Sequence, residues 1–137
     1  MKLEGQVAIV TGASRGLGRA VAIAYGKEGA KVVVTSRASS PTGLLGTAEE
    51  TCKTIQNGGG EAVAISCDST DDLQVRDMTN QVIKRFGKVD YLVNNAGIMI
   101  PGEPFLDIDP VRWDNLMATN ITGPYLACRH VLPHMIE

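Results

Sequence analysis

The amino-acid sequence predicts an α/β fold in which a parallel sheet carries helices on both faces. Short, uniformly apolar runs alternate with longer segments of helical periodicity along the 137 residues, and a glycine-rich turn joins the first run to the first helical segment. Strands that are apolar at every position are buried on both faces, which is typical of parallel sheets. The length and the globular composition, 44% hydrophobic and 20% charged, indicate one domain over residues 1–137.

Four strand–helix pairs follow one another along the chain. The predicted strands, in order, are Val7–Thr11, Lys31–Thr35, Ala62–Ser66 and Val89–Val93. The helical segments that follow them begin, in order, at Leu17, at about Thr47, after Ser69 or Thr70, and at Asp109–Pro110. Each has an apolar stripe, a capping residue or a glycine stop to mark it, and a glycine- and proline-containing loop, Ala38–Gly46, precedes the second helix.

The helix after the third strand has the clearest end signals. Ser69 or Thr70 is predicted to cap it, because a hydroxyl can accept a hydrogen bond from the first free amide groups. Asp71 and Asp72 suit the positive end of the helix dipole, and Gly87 is predicted to end the helix.

Charge and composition exclude several classes of protein. The net charge is −2 with no basic stripe, which argues against a nucleic-acid partner, and no run approaches the roughly 18 apolar residues of a membrane span. The start shows no signal peptide, and Cys52, Cys67 and Cys128 form no C-x-x-C pair, so we expect reduced thiols in a cytoplasmic protein. His130 and His134 have no further ligand candidate nearby, so no metal site is predicted.

The stretch TGASRGLG, residues 11–18, joins the first strand to the first helix. Gly12 would permit the tight turn, Gly16 would let backbone approach a pyrophosphate, and Gly18 would let helix and sheet pack closely. Since the N-terminus of a helix offers free N–H groups and a positive dipole end, such a turn is an anion site. A glycine turn of this kind between a strand and a helix predicts a Rossmann-like doubly wound parallel sheet. The alternative is that the turn is purely structural and binds no anion.

The end of the second strand indicates which dinucleotide is bound. A carboxylate about 20 residues after the glycines would hold the ribose hydroxyls of NAD. This chain has Ser36 and Arg37 there instead, and Arg15 in the glycine loop could reach the same place. Two guanidinium groups suit a 2′-phosphate, which predicts NADP rather than NAD. The alternative is that both arginines are solvated surface residues.

Four motifs resemble those of the short-chain dehydrogenase/reductases. They are TGASRGLG, the Asn94-Asn95-Ala96-Gly97 that follows the fourth strand, Asp68 after the third strand, and Asn120. The resemblance covers the whole chain and implies that Asn120 belongs to the active site. The cofactor-binding residues it implies, together with the two arginines, are Gly12, Ser14, Arg15, Gly16, Leu17, Gly18, Arg37, Asp68, Asn95, Ala96 and Gly97.

Two of the four motifs have plain structural alternatives. Asp68 can accept a hydrogen bond from the adenine amino group, or it can simply cap a helix or close a turn. Asn94 and Asn95 can tie neighbouring strands and the cofactor loop through their side-chain amides, and Gly97 can let backbone approach the cofactor ribose. The alternative is that all three belong to an ordinary turn.

The last helix is predicted to contain a break. Pro124 lies four residues after Asn120 and has no N–H, so it cannot donate to the Asn120 carbonyl within an α-helix. In the family that this chain resembles, the matching asparagine offers its carbonyl to a water connected to the catalytic lysine, and Pro124 is hypothesised to free that group. The alternative is a helix that ends near residue 121 and restarts.

The family's chemistry also needs a serine and a Tyr-x-x-x-Lys pair. The residues four positions after the three tyrosines are Gly29, Asn95 and Arg129, so no tyrosine begins that pair. The chain is therefore expected to be the N-terminal part of the fold, truncated after about four strands, with the fourth strand at a sheet edge and no activity of its own.

Three functions are compatible with these observations. The first is an NADP-dependent oxidoreductase that acts on an alcohol or carbonyl compound, with this chain as its cofactor-binding fragment and a homo-oligomer expected for the complete enzyme. The second is a non-catalytic dinucleotide-binding or interaction module. The third is a Rossmann-like domain of another class, against which the Asn-Asn-Ala-Gly motif and Asn120 argue.

Overall fold

The computed structural model describes residues 1–37 and 46–136. The strands are β1 (Val7–Thr11), β2 (Lys31–Ser36), β3 (Glu61–Ser66) and β4 (Tyr91–Val93). The helices are α1 (Gly16–Lys27), α2 (Ala48–Asn57), α3 (Asp72–Phe86), α4 (Pro110–Met117) and α5 (Gly123–Ile136), with a 3₁₀ turn at Phe105–Asp107 and a π-helical turn at Ala118–Thr122. Most of the predicted loop Ala38–Gly46 lies outside the described residues.

The four strands form one parallel sheet in the order β3-β2-β1-β4. β1 pairs with β2 on one side and with β4 on the other, so the chain reverses its direction of winding at β1. In a doubly wound sheet the crevice outside the carboxyl ends of the strands at such a reversal is where ligands bind. The predicted parallel α/β fold is confirmed.

Helices cover both faces of the sheet, and each face has its own core. On one face Val7, Ile9 and Val33 pack with buried residues of α3 and α5. On the other face Ala8 and Val10 pack with buried residues of α1 and α2. Because successive strand residues point to opposite faces, the uniformly apolar sequence of β1 supplies both cores, and all five of its residues are buried.

The fourth strand is shorter than the sequence predicts, since it spans Tyr91–Val93 rather than Val89–Val93. The reason is Asp90, whose carboxylate Oδ2 accepts a hydrogen bond from the Val7 amide at 2.8 Å. Its own amide donates to the Val7 carbonyl at 2.8 Å. A side chain thus replaces a carbonyl group in the ladder at the start of the pairing between β1 and β4.

Replacing Asp90 by alanine should lower the free energy of unfolding by about 1–2 kcal/mol at neutral pH, because the Val7 amide loses its acceptor. Partial burial of Asp90 opposes ionisation, but the hydrogen bonds from Val7 and Lys88 and the Lys88 charge hold its pKa below the ordinary 3.8. A carboxylate with a lowered folded-state pKa stabilises above the unfolded-state pKa, and this stabilisation is lost as the pH falls through the folded value.

Urea unfolding of the two proteins across the acidic range checks this. The difference between wild type and Asp90→Ala should shrink as the pH falls below about 4. Asp77→Ala is the matched control, because Asp77 is an exposed residue of α3 that pairs with its neighbour Arg76. A loss for Asp90→Ala no larger than that for Asp77→Ala would contradict the assigned role.

The predicted caps of α3 are wrong, because Asp71 caps the helix instead of Ser69 or Thr70. The Asp71 side chain accepts from the Gln74 amide at 3.0 Å. The two residues before it lie in a turn that Asp68 closes, since Asp68 Oδ1 accepts from the Thr70 amide at 3.0 Å. Gly87 ends the helix in the left-handed conformation, φ +77°, as predicted.

The break predicted near Asn120 is a π-helical turn, and the helix neither ends nor restarts near residue 121. Helical structure continues from α4 through Ala118–Thr122 into α5. The Gly123 amide donates to the Ala118 carbonyl, five residues back. Pro124, which has no N–H, is the second residue of α5, so one wider turn lies just before the residue that cannot donate an α-helical bond.

The helices within residues 1–37 and 46–136 include none that is long and apolar enough to cross a lipid bilayer. Nor do His, Cys, Asp and Glu side chains of these ranges converge in threes on a point where a metal ion could bind. His130 instead places Nε2 2.7 Å from Asp72 Oδ1, between α5 and α3. Burial, with nearby carboxylates, raises the pKa of Cys52 and Cys67 to about 11, which keeps both as neutral thiols.

Candidate dinucleotide site

A cleft of about 630 Å³ opens at the carboxyl end of the sheet, between the glycine loop after β1 and the Asn-Asn-Ala-Gly loop after β4. Eight residues predicted from the sequence line it: Gly12, Ser14, Arg15, Gly16, Arg37, Asn95, Ala96 and Gly97. Four others, Leu17, Gly18, Asp68 and Asn120, are not among the residues that line it. Both glycine motifs therefore meet in one place.

Two glycines let the loops after β1 and β4 touch. At Gly12, φ is +62° and a Cβ would lie 2.8 Å from the Ala96 Cα, closer than real Cβ contacts come. At Gly18, a Cβ would overlap the Asn95 side-chain amide and lie 2.7 Å from the Gly12 carbonyl oxygen. Gly16 also has φ +62°, but open space surrounds its missing Cβ. Gly12 and Gly18 are thus required by close packing, and Gly16 by its backbone conformation.

Asn95 and Thr11 lock the two loops together. The Asn95 side-chain Nδ2 donates to the carbonyl oxygens of Thr11 and Gly12, both at 3.0 Å. In return, the Thr11 Oγ1 accepts from the amides of Asn95 at 3.1 Å and Ala96 at 3.0 Å. Thr11 is only 5% exposed, so these bonds are shielded from water and hold the loops rigidly.

The N-terminus of α1 faces this cleft without a compensating acid. Its N-cap is Arg15, no side chain caps the helix there, and the first turn holds no acidic residue. The first amide groups of a helix have no partner within it and carry the positive end of the dipole. Leu17 in this turn is 75% exposed, which places an apolar side chain in solvent beside the open amides.

Arg37 lies directly after β2, at the same end of the sheet as Arg15. Its side chain is half exposed, and its Nε lies 3.7 Å from Asp68 Oδ1. Burial opposes ionisation of Asp68, but the hydrogen bonds from the amide and hydroxyl of Thr70 and the Arg37 charge give a lowered pKa. Asp68 is therefore an anion that closes a turn, as its structural alternative required, and the same oxygen, Oδ1, also faces Arg37.

Asn120 uses its side chain to hold the loop after β4. Its Oδ1 accepts from the Ile98 amide at 2.8 Å, and its Nδ2 donates to the Ile98 carbonyl at 2.7 Å. Ile98 lines the cleft next to Gly97. Both polar atoms of the side-chain amide thus bond to the Ile98 backbone, and the predicted role in the reaction concerns the Asn120 backbone carbonyl.

Several residues of this site have no obvious sequence signal. Thr11 begins the TGASRGLG stretch, but nothing in the sequence indicates that its hydroxyl accepts hydrogen bonds from the loop after β4. Gly46, just before α2, and Glu49 and Thr51 within α2 reach the glycine loop or the cleft from about 35 residues later in the chain. Contacts between elements so far apart follow from the fold, so periodicity and motif spacing do not reveal them.

A parallel sheet that reverses its winding at β1, with a glycine turn into an uncapped helix at that point, defines a Rossmann-like fold. The chain belongs to the short chain dehydrogenase family, whose family model matches residues 6–137. The resemblance predicted from the four motifs is confirmed.

Among its relatives, hydroxysteroid dehydrogenase-like protein 2 of Homo sapiens is 36% identical over 135 residues, 98% of this chain and 32% of that protein. Versicolorin reductase stcU of Emericella nidulans is 35% identical over 136 residues, 99% of this chain and 49% of that protein. The chain thus spans a third to a half of the curated relatives it matches.

Among solved structures, a metagenomic short-chain oxidoreductase in complex with NADP superposes with a TM-score of 0.89 and 39% identity. The match covers 99% of this chain and 59% of that one. At this identity the likeness extends beyond the fold to the sequence.

Proposed function

We propose that this chain is the cofactor-binding part of an NADP-dependent oxidoreductase that transfers a hydride between the nicotinamide and an alcohol or carbonyl substrate. The observation that carries the proposal is the junction of the two loops. The glycine loop and the Asn-Asn-Ala-Gly loop are locked around an uncapped helix N-terminus, with two arginines lining the same cleft.

The residues present fit a dinucleotide. The amides of the glycine loop would bind the pyrophosphate. The loops can meet there only because Gly12 and Gly18 have no Cβ, which would push them apart. Asn95, Ala96 and Gly97 would lie along the ribose and nicotinamide side. Asp68 would accept from the adenine amino group through the oxygen that does not close its turn. When bound, the nicotinamide would supply or accept the hydride.

Preference for NADP rests on the two arginines. Arg15 and Arg37 line one cleft, and β2 ends in Ser36 rather than in a carboxylate. Guanidinium groups bind phosphate through paired, charge-assisted hydrogen bonds. The similar short-chain oxidoreductase that was solved with NADP agrees with this preference.

Arg37→Asp should weaken NADPH binding by about 30-fold or more and change NADH binding little, since it replaces charge-assisted hydrogen bonds with repulsion. Titration calorimetry with both cofactors measures this. Arg76→Asp is the matched control, because Arg76 is also exposed and also paired with an aspartate, but on α3 away from the cleft. Arg37→Gln is a second variant, because it removes the Arg37 charge without placing a new carboxylate beside Asp68.

Equal losses of NADPH and NADH with Arg37→Asp would refute the selection of the 2′-phosphate. The same samples test the expected inactivity of the chain alone, because oxidation of NADPH by carbonyl compounds at enzymatic rates would contradict it. The active-site role of the Asn120 carbonyl, the cytoplasmic location and the homo-oligomeric complete enzyme stay predictions.

A further inference from the structure

Thr51 of α2 makes a contact that its own helix does not need. Its side chain is completely buried, and its Oγ1 lies 2.9 Å from the Ala13 carbonyl oxygen and 3.3 Å from the Ser14 carbonyl oxygen. A third oxygen, the Thr47 carbonyl one turn back in the helix, is also 3.3 Å away. The shortest of the three distances is to the glycine loop, so the hydroxyl donates chiefly across the fold.

This contact completes a pattern among the carbonyl groups of the glycine loop. The Thr11 and Gly12 carbonyls accept from Asn95 on one side of the loop. The next two carbonyls, of Ala13 and Ser14, are reached by Thr51 on the other side. A site for an anion must keep carbonyl oxygens away from it, because their partial negative charge repels a phosphate. Asn95 thus holds two of four successive carbonyls with its two N–H groups, and the single Thr51 hydroxyl proton is directed at the other two, chiefly at Ala13.

The segment before α2 supports the same loop. Gly46 approaches it so closely that a Cβ there would lie 2.8 Å from the Ser14 carbonyl oxygen and 3.2 Å from the Arg15 Cβ. The N-terminal end of α2 therefore packs against the backbone that carries Arg15. Any shift of the loop toward or away from α2 would move the amides and this arginine together.

We propose that Thr51 is a positioning residue of the dinucleotide site: its hydroxyl fixes the Ala13 and Ser14 carbonyls on the α2 side, so that the glycine-loop amides stay aligned on the pyrophosphate. The inference rests on the proposed function, since it concerns the same cofactor. Loss of the Thr51 hydroxyl and loss of Arg37 should affect the two cofactors differently. NADPH and NADH share the pyrophosphate, so loss of the Thr51 hydroxyl weakens both alike.

The test compares Thr51→Val, which keeps the shape and removes the hydroxyl, with Thr51→Ser, which keeps the hydroxyl and removes a methyl group. Calorimetric titration of the full chain with NADPH and with NADH gives the affinities, and thermal unfolding gives the stability. Thr79→Val is the matched control, because Thr79 is a buried threonine of α3 whose hydroxyl donates within its helix to Val75 at 2.9 Å. Thr51→Ala serves in place of the valine variant if the latter does not fold.

We expect Thr51→Val to weaken NADPH and NADH binding by about tenfold each, and Thr51→Ser and Thr79→Val to leave both within about threefold of wild type. Unchanged affinity in Thr51→Val, or an equal loss in Thr51→Ser, would overturn the inference and leave the proposed function intact. If the wild-type chain binds neither cofactor, the proposed function fails and the inference with it. A loss in Thr79→Val equal to that in Thr51→Val would reduce the effect to general stability.

Discussion

Gly12→Ala is expected to lower the free energy of unfolding by about 3 kcal/mol and to remove measurable dinucleotide binding. Two costs add at this position. The backbone has φ +62°, which an L-residue with a side chain adopts only at a cost, and the new methyl group would lie 2.8 Å from the Ala96 Cα. Because that neighbour is backbone, the loops must separate to make room. Urea unfolding and NADPH titration measure the two effects.

Gly16→Ala separates the two costs. Gly16 has the same φ, +62°, but nothing lies within 4 Å of its missing Cβ. Only the backbone cost remains there, about 1–2 kcal/mol for a left-handed conformation. Equal losses of stability in the two variants would mean that contact between the loops adds nothing at Gly12.

Asn95→Asp is expected to lower the free energy of unfolding by about 3 kcal/mol at neutral pH, because two carbonyls lose their donor and face a carboxylate instead. The amide Nδ2 now donates to the carbonyls of Thr11 and Gly12. An ionised aspartate has no proton to give either of them, so the lock between the loops opens. NADPH binding should fall with it, as measured by titration beside urea unfolding.

The adjacent asparagine is the control. The Asn94 Nδ2 contacts the Cys128 sulfur at 3.6 Å, a weak interaction, so Asn94→Asp should cost much less. Protonation of the introduced carboxylate would restore one donor, so the deficit of the Asn95→Asp variant should shrink in acidic buffer. A deficit that is independent of pH and no larger than that of Asn94→Asp would show that the side-chain amide does not join the loops.

Features that depend on short stretches of sequence could be predicted. β1 has the predicted bounds, Val7–Thr11, because every residue in it is apolar or β-branched and a glycine turn ends it. The cap Asp109 before Pro110 and the end of α3 at Gly87 also follow from local chemistry. The candidate cofactor loop could be predicted for the same reason, because its tight turn needs a glycine with positive φ and Gly12 has it.

Features that depend on distant contacts could not be predicted. Val89 lies outside β4 because Asp90 bonds to Val7, 83 residues earlier. The cap of α3 depends on local contacts instead, but three consecutive polar candidates, Ser69, Thr70 and Asp71, made the choice ambiguous from sequence. Nothing in the sequence of α2 indicates that the Thr51 hydroxyl contacts the glycine loop, because that contact depends on how α2 packs.

The lock between Thr11 and Asn95 has a consequence for the order of folding. It joins residues 84 positions apart, so the loop after β4 cannot close its side of the cleft until the intervening chain has folded. The entropy of closing that long loop is lost before any phosphate can be held. A nucleotide that binds only the finished cleft acts as a ligand of the native state, and at a hundred times its Kd it adds about 2.7 kcal/mol to the stability of the whole domain. If the proposed nucleotide binds there, its concentration would therefore shift the balance between folded and unfolded chain.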